Sequence, residues 1–287
     1  MPRVAADVSH AVLITGCSTG IGRATAKYLS ERGLTVYATA RKIDSIQDLE
    51  EHGCRLLQLD VTDEESMGRA VAAVEEQEGA VGALVNNAGY SLSGAIESVS
   101  MEEVRRQFET NVLGLIRMCQ LALPGMRRQH HGRIVNVSSM GGKLTFPGGG
   151  IYHSTKHAVE GLSDVLRFEV RGFGIDVSII EPGLIKTEFG NAAVGALGRA
   201  TEAHDGPYDE FNNVVAATTH GAYEGPGARL AAPPESVARA IHKAITRRRP
   251  KPRYVITAGA RVMLGVHAVV PDRGWDAMMA SRFPRPR

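Results

Sequence analysis

Tyr152 and Lys156 stand four residues apart in the stretch GGGIYHSTKHAVEGL, residues 148–162. Residues at that spacing lie side by side on one helix face. A phenol with an ordinary pKa of about 10 and an ammonium of about 10.4 make a poor ion pair at neutral pH. The pairing makes sense if the phenol must give up or take a proton, because a neighbouring cation favours the phenolate. The chemistry implied is acid/base catalysis on an oxygen. A polar side on an amphipathic helix is the plainer reading, and the rest of the chain has to decide.

A second group of residues points to an anion. TGCSTGIG, residues 15–22, follows an apolar run and opens a stretch of helical spacing. Gly16, Gly20 and Gly22 there permit a tight turn and close backbone approach to a phosphate, and a helix N-terminus attracts the negative charge. The spacing is G-x-x-x-G-x-G. A third signal closes the next apolar run, ATAR at 38–41 followed by Lys42. An acid at that place would hold the ribose 2′-hydroxyl of NAD. Arg41 can instead hold a 2′-phosphate bidentately, so the expected cofactor is NADP(H), with NAD(H) second.

The elements that must position these groups alternate along the chain. HAVLITG, LTVYATA, CRLLQLDVT, VGALVNNAG, GRIVNVSS, GIDVSIIEPG and RYVITAG read as strands, with helical patterns between them. Gly33 reads as the stop of the first helix. Thr62 with Glu65, and Ser100 with Glu103, read as capping boxes. Strands separated by helices mean right-handed crossovers and a parallel sheet, so the fold class expected is α/β, a doubly wound sheet of about seven strands with helices on both faces. Val104, Phe108, Asn111 and Leu115 fall on one helical stripe, apolar except for the asparagine. A buried amide costs stability unless it is hydrogen-bonded, which marks Asn111 as a functional candidate.

The 287 residues, 43% hydrophobic and 22% charged, fit one large α/β domain or two small ones. Cys17, Cys54 and Cys119 are widely spaced, which argues against disulfides or a zinc site and for a reducing, cytoplasmic setting. No signal-peptide pattern and no run of 18 apolar residues occurs. The net charge of +2 hides ten Lys/Arg against two Asp/Glu from Arg247 to the end. A solvated basic surface is preferred there over nucleic-acid binding. Two short amphipathic helices separated by Pro271 are expected after the last strand, one carrying Val262, Val266, Val269 and Val270, the other Trp275, Met278, Met279 and Phe283. Packing on the protein's own lid or across an interface is preferred for them over peripheral membrane contact.

Several stretches together resemble the short-chain dehydrogenases/reductases, in their branch of about 250 residues. They are TGCSTGIG, LDV at 59–61, NNAG at 86–89, Asn111 in ETNVLG, NVSS at 136–139, YHSTK at 152–156 and EPGLIKT at 181–187. No single one is specific; the ordered series over residues 10–190 is. The resemblance implies a Rossmann-like fold and a nicotinamide cofactor. It implies a catalytic set of Asn111, Ser139, Tyr152 and Lys156, with Ser139 thirteen residues before the tyrosine. Strand alternation would turn Ser138 away from the site. Asn111 would hold a water in the proton relay, and Lys156 would grip the nicotinamide ribose. The cofactor contacts implied are Gly16, Ser18, Thr19, Gly20, Ile21 and Gly22 in the loop, Arg41, and Asp60 and Val61 at the adenine. Asn87, Ala88, Gly89, Tyr152, Lys156, Pro182, Gly183, Ile185 and Thr187 complete the list. Thr19 departs from the basic residue that many NADP-binding members carry there, which leaves Arg41 as the main phosphate ligand. No metal is implied.

The reading of the whole chain is a single domain, 1–287. It comprises a core at 10–190, a substrate lid at 188–234 that is rich in Gly, Ala and Pro without clear periodicity, and a basic extension at 247–287. The expected function is hydride transfer between NADP(H) and a lipophilic ketone or secondary alcohol, in a homodimer or homotetramer. Met140 to Phe146, Ser91 to Ala95 and the lid are the candidate substrate wall. A sugar-nucleotide epimerase or dehydratase and a cofactor-binding sensor are the alternatives. His153 and His157 lie one step off the Tyr/Lys face and read as surface or packing residues.

Overall fold

Each apolar run of the sequence becomes a strand, and the strands sort by face because side chains alternate along them. The structure, a computed structural model, describes residues 8–188, 206–224 and 231–286. The strands are β1 (Val12–Ile14), β2 (Val36–Ala40), β3 (Arg55–Gln58), β4 (Ala83–Asn86), β5 (Gly132–Val137), β6 (Ile175–Glu181) and β7 (Arg253–Val255). All neighbouring pairs are parallel, in the order β3-β2-β1-β4-β5-β6-β7. This is the expected doubly wound, Rossmann-like sheet. The order reverses between β1 and β4, which opens a crevice at the carboxyl ends of those strands. The glycine loop leaves β1 there, and the NNAG stretch runs off β4.

The helices are α1 (Gly20–Ser30), α2 (Glu64–Glu78), α3 (Met101–Phe108), α4 (Gly114–Arg128), α5 (Gly150–Val170), α6 (Asp209–Glu224), α7 (Glu235–Thr246), α8 (Ala258–Val269) and α9 (Asp272–Ala280). Val12, Ile14, Val85 and Val135 meet Ala26 and Leu29 of α1 and Val237 and Ile241 of α7. Leu13, Leu84, Ile134 and Val177 meet α2, α4 and α5 through Val71, Met118 and Val159. Burying each such side chain contributes about 1.5–3 kcal/mol, so two dry faces hold the sheet edges in register.

Four local expectations change. Asp63, not Thr62, caps α2: its carboxylate accepts from the amides of Glu65 and Ser66, while Thr62 turns its hydroxyl onto Asp60. Asp63 wins because an ionised cap accepts two amides at a helix's positive end. Ser100 caps α3 as expected, but the Glu103 carboxylate goes to Arg106 rather than back to the cap. The stripe through Asn111 is not one helix. A π-helical turn, Glu109–Leu113, separates α3 from α4, and the extra residue rotates Asn111 inward. The supposedly aperiodic segment contains α6 within its described part. Asn212 of α6 accepts from the amide of Ala95, and Val215 packs where Gly148 lacks a side chain. The remainder of the lid reading, residues 189–205 and 225–230, lies outside the described residues.

The two C-terminal helices form on either side of Pro271. Trp275 and Met279 are buried against Leu144, with Phe146, Met263, Val266 and Val270 around them, and the Trp275 indole donates to Thr145 O. Of the expected valine stripe, Val262 and Val269 remain exposed. Among the described residues no helix is long and apolar enough to cross a membrane.

Candidate active site

The glycine loop is shaped from beneath by Thr15, which is fully buried at the end of β1. Its Oγ1 accepts from the amides of Asn87 and Ala88, 3.0 Å each. Asn87 answers with its side-chain amide, which donates to Thr15 O and Gly16 O at 2.9 Å. Asn87 thus braces the loop. Gly16 has φ +74°, and a Cβ on it would sit 2.9 Å from Ala88 Cα. A Cβ on Gly22 would fall 2.2 Å from Gly16 O and 2.4 Å from the Asn87 amide. Thr19 stands at the N-cap of α1 without a side-chain capping bond, and Ser18 and Thr19 are exposed. The first amides of α1 therefore face outward for an anion. The residues present fit a dinucleotide diphosphate.

Gly22→Ala tests that cradle. Overpacking of one to three kcal/mol is expected, so NADPH affinity should fall about tenfold or more while far-UV circular dichroism stays native. Nucleotide fluorescence titration reads the affinity.

The structure places the other residues expected to contact the cofactor as follows. Arg41 is exposed just past β2, and among the described residues its guanidinium has no partner. Asp60 is half-buried and accepts from the amide and hydroxyl of Thr62, with Val61 buried beside it. Gly114, which opens α4, allows Val61 to approach: a Cβ there would lie 2.4 Å from Val61 O. Pro182 O accepts from Met140 N, and Gly183 packs on Thr257, the cap of α8. Ile185 bridges Ala232, and Thr187 lies 3.3 Å from where a Gly20 Cβ would be. Ile21 is half-buried on α1.

Tyr152 and Lys156 lie on the first turns of α5. Lys156 Nζ stands 5.8 Å from the Tyr152 ring centroid and donates to Val137 O at 2.9 Å. Burial brings the Lys156 ammonium down to about 8, with Glu160 one turn on opposing that fall. Asn111 accepts from Tyr90 N and donates to Tyr90 O and Thr155 Oγ1, so its buried amide is satisfied. A Cβ on Gly89 would lie 3.0 Å from Asn111 Oδ1 and 3.7 Å from Lys156 Nζ. Gly89 therefore leaves room for asparagine and lysine to converge. Ser138 is buried, its Oγ 2.7 Å from where a Cβ on Gly142 would sit, whereas half-buried Ser139 caps the turn Met140–Gly142. Both serines lie past the end of β5, and of the two Ser139 is the more exposed.

Below the site lies a charged cluster that the sequence did not announce. Glu160 and Glu181 are 4% and 2% exposed and share Arg253 with Asp164. Lys143 reaches Glu160 at 3.4 Å. Burial, reinforced by Glu160, pushes Glu181 up to about 7. The cluster ties α5, β6, β7 and the loop after Ser139 together just before Pro182. Arg253→Met is expected to cost about 3–5 kcal/mol, because it leaves carboxylates buried without their cation. Urea denaturation at neutral pH checks it.

The other residues that sequence reasoning passed over are Thr15, Gln107 and Thr155. Gln107, 0% exposed, donates to Tyr90 O, so it holds the chain just after Gly89. Polar side chains on otherwise apolar stripes were the available signal. Among the described residues no cluster could hold a metal ion, and the three cysteines are free and buried.

Comparison with known proteins gives the same picture. The family model for short chain dehydrogenase matches residues 10–196. The 3-ketodihydrosphingosine reductase of Bacteroides thetaiotaomicron is 42% identical over 179 residues, 62% of this chain and 65% of that one. The NADPH-dependent 3-dehydrocapnine reductase of Ornithobacterium rhinotracheale is 33% identical over 92% of this chain and 94% of its own. Among solved structures, the closed form of a serine dehydrogenase complexed with NADP+ superposes with a TM-score of 0.74 at 28% identity, covering 87% of this chain and 95% of that one. Motif order, sheet order and the tyrosine–lysine pair at the switch-point crevice converge with these matches: the chain belongs to the short-chain dehydrogenase/reductase family.

Proposed function

We propose that the protein is an NADP(H)-dependent oxidoreductase that transfers a hydride between the nicotinamide and a ketone or secondary alcohol, with Tyr152 as the acid/base group. The observation that carries this is the buried Lys156 beside the Tyr152 ring. At about 8 it is still largely protonated at neutral pH, so it supplies the cation that favours the phenolate. The nicotinamide supplies the hydride when bound. Ser18, Thr19 and the loop glycines would hold the diphosphate, Arg41 the 2′-phosphate, and Asp60 and Val61 the adenine. Asn87, Ala88 and Gly89 would line the far side, and Pro182, Gly183, Ile185 and Thr187 would meet the carboxamide end.

Ser139 donates a hydrogen bond to the substrate carbonyl oxygen. Tyr152 gives that oxygen its proton as negative charge develops, which contributes about 10²–10⁴-fold. Lys156 lowers the phenol's pKa and holds the ribose, and Asn111 holds the water that returns protons from solvent. In the alcohol-oxidising direction the tyrosinate is the base. Two relatives named as reductases, one of them NADPH-dependent, and the NADP+-complexed neighbour support the direction and cofactor. Leu144 and Phe146 on one side and the buried Ser91–Ala95 segment on the other suit a lipophilic substrate. Cytoplasmic assembly into two or four copies belongs to the same reading. Val165 and Phe168, 58% and 85% exposed on one face of α5, are the surface such an assembly would cover.

The test is absorbance of the reduced nicotinamide with NADPH or NADH against a panel of ketones and alcohols. Turnover of a lipophilic ketone with NADPH is expected. Cofactor binding without turnover on any member would favour a sensor.

A further inference from the structure

His153 follows Tyr152 on α5, yet it is 7% exposed and its ring points into the segment after Ser139. Its Nδ1 lies 3.1 Å from Gly141 O. A carbonyl only accepts, so Nδ1 carries the proton. The amide of the same Gly141 donates to Ser139 Oγ at 3.0 Å. His153 and Ser139 are therefore linked through one residue, Gly141, whose C=O and N–H belong to the two successive peptide units on either side of its Cα. Two glycines make room for the ring. A Cβ on Gly141 would fall 2.4 Å from Nδ1, and one on Gly149 would fall 2.5 Å from Nε2. The ring thus sits between the two ends of the loop that forms one substrate wall. Phe146 from the middle of that loop and Tyr152 flank it, at 5.9 and 5.6 Å between centroids.

We propose that His153 is a positioning residue: by holding the carbonyl of Gly141 it fixes the backbone of that residue, and through the Gly141 amide the Ser139 hydroxyl, as a donor toward the substrate carbonyl oxygen. Gly141 has no side chain to restrict its backbone, so the bond at its carbonyl helps to decide where its amide points. With the Gly141 amide aimed at Oγ, one lone pair is occupied and the hydroxyl proton is left to donate. Among the described residues that proton has no acceptor. Burial keeps the imidazole neutral, bringing it down to about 4, so His153 holds a fixed tautomer and does not itself shuttle protons at working pH. The inference rests on Ser139 acting on a carbonyl as proposed above.

The experiment uses the full chain with NADPH and a ketone that it reduces. Ser139→Ala alone should lower kcat about 10²-fold, the usual cost of one oxyanion donor. His153→Leu should lower kcat about tenfold, with the NADPH dissociation constant unchanged. His153→Asn, whose amide nitrogen can take the place of Nδ1, should return kcat to within about threefold of wild type. In the Ser139→Ala background, His153→Leu should cost no more than about twofold further, because the positioned hydroxyl is gone. His153→Phe replaces the leucine variant if that protein melts below the assay temperature. A leucine loss that persists undiminished without Ser139, or an asparagine variant no better than leucine, overturns the inference. An unimpaired Ser139→Ala enzyme instead sinks the reading of Ser139, and the inference falls with it.

Discussion

Tyr152→Phe is expected to lower kcat by about 10³-fold or more while NADPH binding changes by less than about threefold. The substitution keeps the ring and removes one transferable proton. The ring's contacts with His153 and its place near Lys156 do not depend on the hydroxyl. The chemical step does, because in this reading no other acid faces the same oxygen. Lys156 is tied to Val137 O, and His153 is held neutral by burial and bonded to Gly141. Single-turnover reduction, followed beside a binding titration, separates the two effects. A phenylalanine enzyme retaining more than a tenth of wild-type turnover would contradict the assignment.

Arg41→Asp should reverse the cofactor preference. The wild-type guanidinium is exposed past β2, where it can form a charge-assisted, bidentate pair with a 2′-phosphate. Aspartate removes that pair, repels the phosphate and accepts from a ribose hydroxyl instead. Two opposed changes of about 1.5–3 kcal/mol each predict that the NADPH-to-NADH ratio of kcat/KM moves by about 10²-fold or more. An unchanged ratio makes Arg41 an ordinary surface residue. Because Thr19 offers no second cation at the loop, the substitution at Arg41 is expected to move the ratio more than one at Thr19.

The parts of this molecule that were legible in advance follow short-range rules. The seven expected strands appear at the seven apolar runs, and their parallel pairing follows from the helices between them. The glycine loop was readable because its three glycines sit at a strand-to-helix junction. Tyr152 and Lys156 were readable because four residues make one helical turn. The burial of Ser138 and the partial exposure of Ser139 agree with the difference expected between neighbouring residues. What could not be read depends on contacts made across the fold. Asp63 displaced Thr62 as a cap because Asp60 captured the threonine hydroxyl. The π-helical turn at Asn111 is invisible to a count of 3.6, since it is the bonds from Asn111 to Tyr90 and Thr155 that stabilise it. Arg253 reads as one of a run of surface cations, yet Glu160, Asp164 and Glu181 draw it into the interior. His153 looked like packing, and its packing partners turned out to be the two glycines that shape the serine loop.

The central claim is hydride transfer from the nicotinamide to a carbonyl carbon under the Tyr152 proton. Its most direct measurement uses NADPH carrying deuterium at C4 of the dihydronicotinamide, with mass spectrometry of the alcohol formed from a lipophilic ketone panel. Deuterium bonded to the carbinol carbon of product made by the wild-type enzyme, and about 10³-fold less product with Tyr152→Phe, is the result this account predicts. Product without deuterium at that carbon, or equal product from the two enzymes, would contradict it.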